Sequence, residues 1–334
     1  MGHAQKLPAS MKTSALLCPV LLALLAALPQ AIAQAPFPNR PVTIIVPFPP
    51  GGGTDVGARL VAQKLTHRWG QSVVVENRGG AAGIVGMDAA AKAKPDGYTI
   101  VMGNVGTISI NQSLYKKLPY DAETALLPIV MVADLPLVLL ANVGLKEKTP
   151  AELIAAARAA PGKFTFASSG AGGAPHLAAE IFQNMTGIRM LHVPYKGGGP
   201  AVADLLAGHV NILFTTILEA VGQVKAGRLN GMAVSSKARS PALPDTPTLS
   251  EAGVPGYESG SWIGLMAPGG TPRTVLDKIA ADTHEIVAQT DTRQTLIGQG
   301  ALPRGEMLAQ FAAVIEADRR KYARIIVDQG IRSD

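Results

Sequence analysis

The sequence predicts an α/β fold with a largely parallel sheet, and three patterns indicate it. Short apolar runs rich in β-branched residues recur along the chain, with helical stretches between them. These runs are hydrophobic throughout rather than alternating, which is typical of parallel strands covered on both faces. Several runs also lead directly into glycine-rich turns ahead of a helix. Together these patterns are typical of an α/β protein that binds a ligand at the ends of its strands.

Eight runs are expected to be strands, and two extended segments are expected to cross between two lobes. The strands are VTIIVPF (42–48), SVVVEN (72–77), YTIVMGN (98–104), LVLLANV (137–143), FTFASS (164–169), MLHVPY (190–195), VNILFTT (210–216) and GMAVSS (231–236). The crossing segments are LPLVLLANVG (135–144) and VPGYESGSWIGLMAP (254–268). A chain of this length usually forms two domains. We therefore predict lobe 1 at residues 34–137 and 256–334, and lobe 2 at residues 138–255.

Helix starts are also readable from the sequence. Thr149-Pro150-Ala151-Glu152 supplies an N-cap hydroxyl, a proline at the first helical position and a glutamate three residues after the cap. Residues 56–69 carry apolar side chains at helical spacing and end at Gly70, and Thr271-Pro272 opens a later helix.

Residues 1–33 are predicted to be an export signal. A basic start at Lys12 precedes an apolar stretch, and Ala31-Ile32-Ala33 forms a small-x-small cleavage site. Pro19 and Pro29 interrupt the apolar stretch, which makes it a poor membrane anchor. We expect cleavage after Ala33 and a periplasmic mature protein.

The composition argues against several function classes. The one cysteine, Cys18, lies within the predicted signal, so the mature chain has no disulfide and no thiol nucleophile. Loss of Lys6 and Lys12 lowers the net charge from +6 to +4, and aromatic residues make up 4% of the chain, so we expect no nucleic-acid partner. The remaining histidines show no paired ligand spacing, and we expect neither a metal nor a cofactor.

Four stretches share one arrangement, in which a strand runs into glycines ahead of a helix. They are VPFPPGGGTD (46–55), ENRGGAAG (76–83), ASSGAGGAPH (167–176) and VPYKGGGPA (193–201). Glycine lets the backbone approach a ligand closely, and a helix start directs free N–H groups at it. Neither a phosphate loop nor a dinucleotide-binding motif is present in the sequence. We predict one cleft that binds an anion through backbone donors and small hydroxyls.

A hydrolase or transferase acting on a small anion is the main alternative from the residues alone. Ser169 and His176 are candidates for a triad, but the serine lies in S-S-G-A-G rather than in G-x-S-x-G. His176 is otherwise a helix-start residue near the cleft or a capped surface histidine. Asp55 caps a helix, receives a ligand ammonium or binds a water, and Lys196 is solvated or pairs with a ligand carboxylate. Trp262 is a wall of the cleft or part of the core.

A series of motifs resembles a known family over essentially the whole mature chain. The motifs are FPNRPVTIIVPFPPGGGTDVGAR, VVVENRGGAAGIVG, KPDGYTIVMGN, LPYD, FASSGAGGAPHLAAE, HVPYKGGGPAVADLLAGHV and SWIGLMAPGGTP. In this order they are similar to the substrate-binding proteins of tripartite tricarboxylate transporters, also called Bug receptors. The resemblance implies a type II periplasmic-binding-protein fold, two lobes that close around a small carboxylate solute, and no catalysis. It also implies membrane components of such a transporter as partners.

The resemblance further implies which residues contact the solute. Carried over onto this sequence, they are Phe48, Gly53, Thr54, Asp55, Ala81, Ala82, Ser168, Ser169, Gly170, Gly173, His176, Lys196, Gly197 and Gly198. Thr215 is added, because similar proteins often have an aspartate or asparagine where this chain has Thr215-Thr216. A hydroxyl donates or accepts where an ionised acid only accepts, so the solute can differ from those of similar proteins. We expect a monomer; a receptor that docks on a signalling protein would use the same site.

Overall fold

One curled sheet of ten strands organises the computed structural model, which describes residues 1–5, 36–328 and 330–331. The strands all belong to one compact unit, Pro38–Asp334. Residues 6–33 of the predicted export signal, including the cleavage site at Ala33, lie outside the described residues. Within the described part of the chain, no helix combines the length and apolar character needed to cross a bilayer.

Strands and helices alternate along most of the chain. The strands are β1 (Val42–Val46), β2 (Val73–Asn77), β3 (Thr99–Asn104), β4 (Leu126–Asn142), β5 (Thr165–Ser168), β6 (Leu191–Pro194), β7 (Ile212–Thr216), β8 (Leu229–Val234), β9 (Gly260–Pro268) and β10 (Leu302–Pro303). The α-helices are α1 (Gly53–Trp69), α2 (Ile84–Ala91), α3 (Asn111–Leu114), α4 (Pro150–Ala159), α5 (Ala174–Thr186), α6 (Gly198–Ala207), α7 (Ile217–Lys225), α8 (Arg273–Ala288), α9 (Thr290–Gly298) and α10 (Ala309–Asp328). A 3₁₀ turn at Ala81–Gly83 precedes α2, and a π-helical turn at Gly106–Ile110 precedes α3.

The sheet order is β2-β1-β3-β9-β4-β7-β5-β6, with β8 and β10 also paired to β4. The prediction of parallel strands is confirmed at both ends of the sheet, where β1 pairs with β2 and β3 and β5 pairs with β6 and β7. It is wrong for LVLLANV and GMAVSS, because β4 runs antiparallel to β7, β8 and β9. An uninterrupted apolar run indicates burial on both faces and carries no information about strand direction.

Strand β4 has 17 residues and belongs to both halves of the sheet. Up to Pro136 it pairs with β9, and from Leu137 onward it pairs with β7. The sequence predicted only its second half, because Pro128 and Asp134 interrupt the apolar pattern and the register with β9 shifts near Pro128. The change of partners lies beside the predicted lobe boundary at 137/138. The division into residues 34–137 plus 256–334 and residues 138–255 stays a prediction.

Two predicted helix starts show how local sequence sets the elements. The predicted N-cap of α4 is confirmed, since Glu152 N–H donates to Thr149 Oγ1 at 3.2 Å and Thr149 N–H donates to Glu152 Oε2 at 3.2 Å. Helix α1 begins at Gly53, three residues before the predicted start, with Gly52 as an extended N-cap. Asp55 is therefore not the N-cap; its carboxylate reaches back to accept the N–H of Gly51 at 3.0 Å.

Buried side chains cover both faces of the sheet near its centre, whereas the strands at its two edges are partly exposed to solvent. Trp262 is 4% exposed, and its ring packs edge-on against that of Phe311 with 5.2 Å between the ring centres. Its Nε1 donates a hydrogen bond to Asp318 at 2.6 Å. Trp262 is therefore a core residue. At the edges, Val74 on β2 and Leu191 on β6 are 51% and 59% exposed. Strands β2 and β6 are thus covered less completely than their apolar sequences predicted.

Candidate functional site

One pocket lies where strands from both halves of the sheet end, and we call it the strand-end pocket. It is lined by Phe48, Gly52, Gly53, Thr54, Ala82, Asn104, Gly106, Leu135, Ser169, Gly170, Gly173, Ala174, Pro175, Gly198, Thr216, Glu219 and Ser261. The cavity volume is about 50 Å³. That is room for a few waters or for one small, narrow solute.

Four helices begin at this pocket. Helices α1, α5, α6 and α7 start beside Gly53, Ala174, Gly198 and Thr216, and no N-cap side chain bonds to the first turn of any of them. Helix α4, whose start is not in the pocket, has a complete capping box instead. The first N–H groups and the positive dipole ends of four helices are thereby directed at one space. This arrangement favours a negatively charged ligand.

The pocket closes because its glycines permit close contact between chain segments. A Cβ atom at Gly53 would lie 2.5 Å from Thr216 Oγ1, and one at Gly197 would lie 2.9 Å from Pro49 Cδ. One at Gly199 would lie 3.1 Å from the carbonyl oxygen of Pro50. The first glycine loop, 46–55, therefore packs directly against the segment 193–201 and the end of β7. With the present neighbours, including the Pro49 ring opposite Gly197, side chains at these positions would force the loops apart.

The second glycine loop places Ala82 in the pocket wall through an uncommon backbone conformation. Ala81 and Ala82 both have positive φ, at 44° and 51°, between Gly80 and Gly83. An alanine in this region costs roughly 1–3 kcal/mol, which the surrounding structure must offset. Gly83 leaves no room for a side chain, since a Cβ there would lie 2.5 Å from Thr107 Cγ2.

Thr54 and Asn104 form a polar contact inside the pocket. Asn104 donates from Nδ2 to Thr54 Oγ1 at 3.2 Å, and its Oδ1 accepts the N–H of Thr107 at 3.1 Å. Because Thr54 Oγ1 already accepts, its own proton can be donated to a ligand. Sequence reasoning missed Asn104, although its place at the end of β3 was a usable signal.

Asp55 supports the first loop from behind and does not line the pocket. Its carboxylate accepts from Arg59 at 3.0 Å, from the Gly51 N–H at 3.0 Å and from Asn77 at 2.9 Å, and the residue is 3% exposed. Burial raises the pKa of Asp55, but these hydrogen bonds and the Arg59 charge outweigh burial and leave the pKa below its usual value. The carboxylate is thus ionised and fully engaged by the protein, which leaves little capacity for a ligand ammonium.

A stack of three rings holds the start of α5 against β5 and β6. The His192 ring lies 4.7 Å from Phe166 and 4.2 Å from His176. His176 Nδ1 accepts the N–H of Gly172 at 3.0 Å, and burial together with the charge of His192 lowers the His176 pKa to about 3. His176 is consequently a neutral, buried helix-start residue. It orders the third glycine loop and does not line the pocket.

Ser168 and His192 form a hydrogen-bonded pair that resembles part of a hydrolytic site. Ser168 Oγ lies 2.7 Å from His192 Nε2 and also bonds to the backbone of Gly170. Ser168 is fully buried and is absent from the pocket lining, whereas Ser169 is part of it. A substrate in the pocket would therefore meet Ser169, which lacks the histidine partner, and the pair is better explained as support for β5 and β6.

Every residue of the pocket lining belongs to the described part of the chain, and among them only Glu219 has an ionisable side chain. Thr215 donates to Glu219 Oε2 at 2.5 Å. Burial raises the pKa of Glu219 to about 7, and the Thr215 hydroxyl and the nearby N–H of Gly53 only partly oppose the rise. The carboxyl group therefore joins the start of α1 to the start of α7 across the pocket.

The predicted contact residues divide into two groups. Those that line the pocket are Phe48, Gly53, Thr54, Ala82, Ser169, Gly170, Gly173 and Gly198. Those that lie behind or beside the lining are Asp55, Ala81, Ser168, His176, Lys196, Gly197 and Thr215. Lys196 is exposed, and Thr215 reaches the pocket only through Glu219. Direct contact with a solute stays a prediction for every one of them.

Several lining residues were missed at the sequence level. They are Gly52, Asn104, Gly106, Leu135, Ala174, Pro175, Thr216, Glu219 and Ser261. Leu135 and Ser261 lie in the two segments predicted to cross between lobes, so the crossing itself was a signal. Glu219 had a weaker signal, its position four residues after Thr215. No group of three or more metal-binding side chains was found among the residues described.

Comparison with known proteins decides the family. The model for the tripartite tricarboxylate transporter family receptor matches residues 57–331. The chain belongs to this family. The match includes β4, β7 and α7 in full and begins within α1, four residues after the helix starts.

Solved structures of similar proteins agree with this receptor family and with the two-lobe fold. The chain is 34% identical to R. palustris Rpa4515 with adipate, with a TM-score of 0.87 over 89% of this chain and 99% of that one. It is 33% identical to the periplasmic binding protein BugD, with a TM-score of 0.85 over 89% of this chain and 100% of that one. It is 31% identical to MatC (Rpa3494) from Rhodopseudomonas palustris with bound malate, with a TM-score of 0.81 over 87% and 100%. The fold is thus the type II periplasmic-binding-protein fold, with a ligand cleft between two lobes.

Proposed function

We propose that this protein is a periplasmic receptor that captures a small carboxylate-bearing solute and delivers it to the membrane components of a tripartite tricarboxylate-type transporter. The observation that supports this most directly is the convergence of four helix starts on one pocket whose lining contains no basic side chain. Backbone N–H groups and the hydroxyls of Thr54, Ser169 and Thr216 can hold a carboxylate there. Similar proteins were solved with adipate and with malate bound.

The pocket chemistry suits reversible capture rather than catalysis. A receptor must release its solute, and several neutral hydrogen bonds of about 1 kcal/mol each can be broken one after another. Closure of the loops 46–55 and 193–201 around the solute would provide the signal that a transporter recognises, because only the closed arrangement makes both sets of contacts. The same proposal includes cleavage of the export signal after Ala33, which removes residues 1–33. It also includes that the mature protein acts as a monomer.

The test is thermal and urea unfolding of the purified protein with a panel of mono-, di- and tricarboxylates. Each acid is paired with its neutral amide, which has nearly the same shape but carries no charge and replaces one acceptor oxygen with a donor nitrogen. The protein is unfolded and refolded beforehand, because a carried-over solute would mask binding. A matching acid at 100 times its dissociation constant should raise the free energy of unfolding by about 2.7 kcal/mol. If no acid stabilises the protein more than its amide does, the carboxylate proposal is wrong.

A further inference from the structure

The Glu219 side chain has one oxygen that the protein satisfies and one that it does not. Oε2 accepts the Thr215 hydroxyl at 2.5 Å. Oε1 is inaccessible to solvent and has no hydrogen-bond partner within the described part of the chain. An unsatisfied buried carboxylate oxygen is costly, so the protein alone leaves this group incomplete.

The unsatisfied oxygen lies against the pocket. A Cβ atom at Gly52 would lie 3.7 Å from Oε1 and one at Gly198 only 2.0 Å from it, and both glycines line the pocket. Thr216, 8% exposed and also in the lining, has a hydroxyl oxygen that likewise lacks a partner among the described residues. Two incomplete polar groups therefore lie at the N-cap and in the first turn of α7, at the wall of the pocket.

Among the described residues, no cation is paired with Glu219. Helix α1 carries Asp55 and Arg59, which pair with each other at 3.0 Å, and its later cations Lys64 and Arg68 pair with Asp291 and Asp282. Helix α6 carries Asp204, which accepts from the Tyr195 hydroxyl at 2.6 Å. The segments of β4, β7 and β8 beside α7 contain no charged residue, Lys196 is exposed, and Lys225 lies at the far end of α7. Burial is accordingly the leading cause of the raised pKa of Glu219, and no charged residue contributes to it.

We propose that Glu219 is a specificity-determining residue that binds solute as the neutral acid and donates its proton from Oε1 to a carboxylate of the solute. This inference rests on the proposed function. An ionised Glu219 would repel a solute carboxylate in this enclosed space, whereas a neutral acid offers it one O–H donor. The Thr216 hydroxyl donates to the same carboxylate. The preferred solute is thus an anion whose binding carries one proton into the pocket.

The experiment uses the acid of the unfolding panel that stabilises the protein most, and measures its dissociation constant between about pH 6 and about pH 8.5, where the charge of Glu219 changes. The solute is chosen so that its own charge is constant over that range. Only the protonated protein binds well, so affinity is level below the Glu219 pKa of about 7 and falls about tenfold per pH unit above it. Calorimetry in two buffers of different ionisation enthalpy should show uptake of about one proton per solute above that pKa.

Glu219→Gln is the decisive variant, because an amide donates from the same position and cannot ionise. We expect its dissociation constant to be independent of pH and proton uptake to be absent. The matched control is Glu180→Gln: burial also raises the pKa of Glu180, but this residue lies outside the pocket lining, and the variant should keep the wild-type profile. Unfolding curves establish that both variants are folded.

The outcomes separate this inference from the proposed function. If carboxylates bind but the wild-type and Glu219→Gln profiles coincide, Glu219 has no such role and the receptor proposal stands. If affinity instead rises above the Glu219 pKa and solutes with an ammonium group are preferred, Glu219 binds as the anion and the inference is wrong. If no carboxylate binds at any pH, the receptor proposal itself fails. The inference is supported if Glu219→Gln loses the pH dependence of binding while Glu180→Gln keeps it.

Discussion

At the scale of single residues, the pocket depends on glycines that bring two chain segments into contact. Gly198 illustrates this, because a Cβ there would lie 2.0 Å from Glu219 Oε1 and 2.3 Å from Oε2. Even a methyl group must displace the carboxyl group that joins the starts of α1 and α7. Gly198 is therefore expected to matter for binding because it leaves room for the Glu219 carboxyl group.

We expect Gly198→Ala to weaken solute binding by at least about tenfold, or 1.4 kcal/mol, as measured by isothermal titration. The matched control is Gly222→Ala in α7, where a Cβ meets nothing within 4 Å. That variant should bind normally and unfold with a free energy up to about 1 kcal/mol higher, since alanine favours the helix. Equal affinity of Gly198→Ala and wild type would show that Glu219 can shift without consequence.

Much of the site could be predicted at this scale because glycines mark close backbone approach by themselves. The motifs that contain Gly53, Gly170 and Gly198 pointed to the pocket correctly. The roles of Asp55 and Glu219 could not be read from the sequence, since a carboxylate's role depends on which groups surround it. Arg59 on α1 and Asn77 on β2 both donate to Asp55, while Gly53, from a distant part of the chain, lies beside Glu219.

At the scale of elements, the ring stack of Phe166, His192 and His176 fixes α5 to β5 and β6. The His176 ring stays neutral when folded, because burial and then the charge of His192 lower its pKa to about 3. In the unfolded chain its pKa returns to about 6.5. Protons therefore bind the unfolded state preferentially between these two values. The contribution of His176 to stability is complete above about pH 6.5 and is lost as the pH falls toward 3.

We expect the free energy of unfolding of the wild type to fall below about pH 6.5 more steeply than that of His176→Phe, by about 1.4 kcal/mol per pH unit. The phenylalanine ring keeps the stack and removes the titrating group. Urea unfolding at several pH values measures both slopes. Parallel slopes would mean that His176 gains a proton in the folded protein without cost, and the neutral state inferred above would be wrong.

Elements differ in how far local sequence determines them. The start of α4 was predictable because Thr149 and Glu152 satisfy each other's backbone groups within one turn. The first half of β4 was not, since Pro128 and Asp134 are tolerated only because β9 and β10 provide the neighbouring strands. Strand direction also depends on distant partners, which explains why LVLLANV and GMAVSS were wrongly expected to be parallel.

At the scale of the whole molecule, the loop 46–55 lies directly against the segment 193–201. A Cβ at Gly197 would lie 3.9 Å from Pro49 Cβ, within the range of a disulfide. Gly197 has φ of 161°, an extended conformation that cysteine adopts readily. Cys18, the one cysteine of the sequence, lies in the predicted export signal, so no other thiol would compete in the mature protein.

We expect the double variant Pro49→Cys and Gly197→Cys to oxidise faster with solute than without it, because solute favours the closed arrangement. Once oxidised, it should retain solute through dialysis and release it on reduction. Non-reducing electrophoresis and calorimetry measure the two effects, and each single variant serves as the control. An oxidation rate that does not respond to solute would indicate that these loops stay in contact whether or not the pocket is occupied.

The position of β9 has a consequence for when this chain can fold. Residues 260–268 lie in the middle of the sheet, between β3 and β4, although they are synthesised late. Pairings between distant segments form slowly, because the entropy of closing long loops is lost before the contacts compensate. Until β9 emerges from the ribosome, β3 and β4 have no strand to join them. The complete ten-stranded sheet can therefore form only near the end of synthesis, which delays the final fold of a chain predicted to cross a membrane.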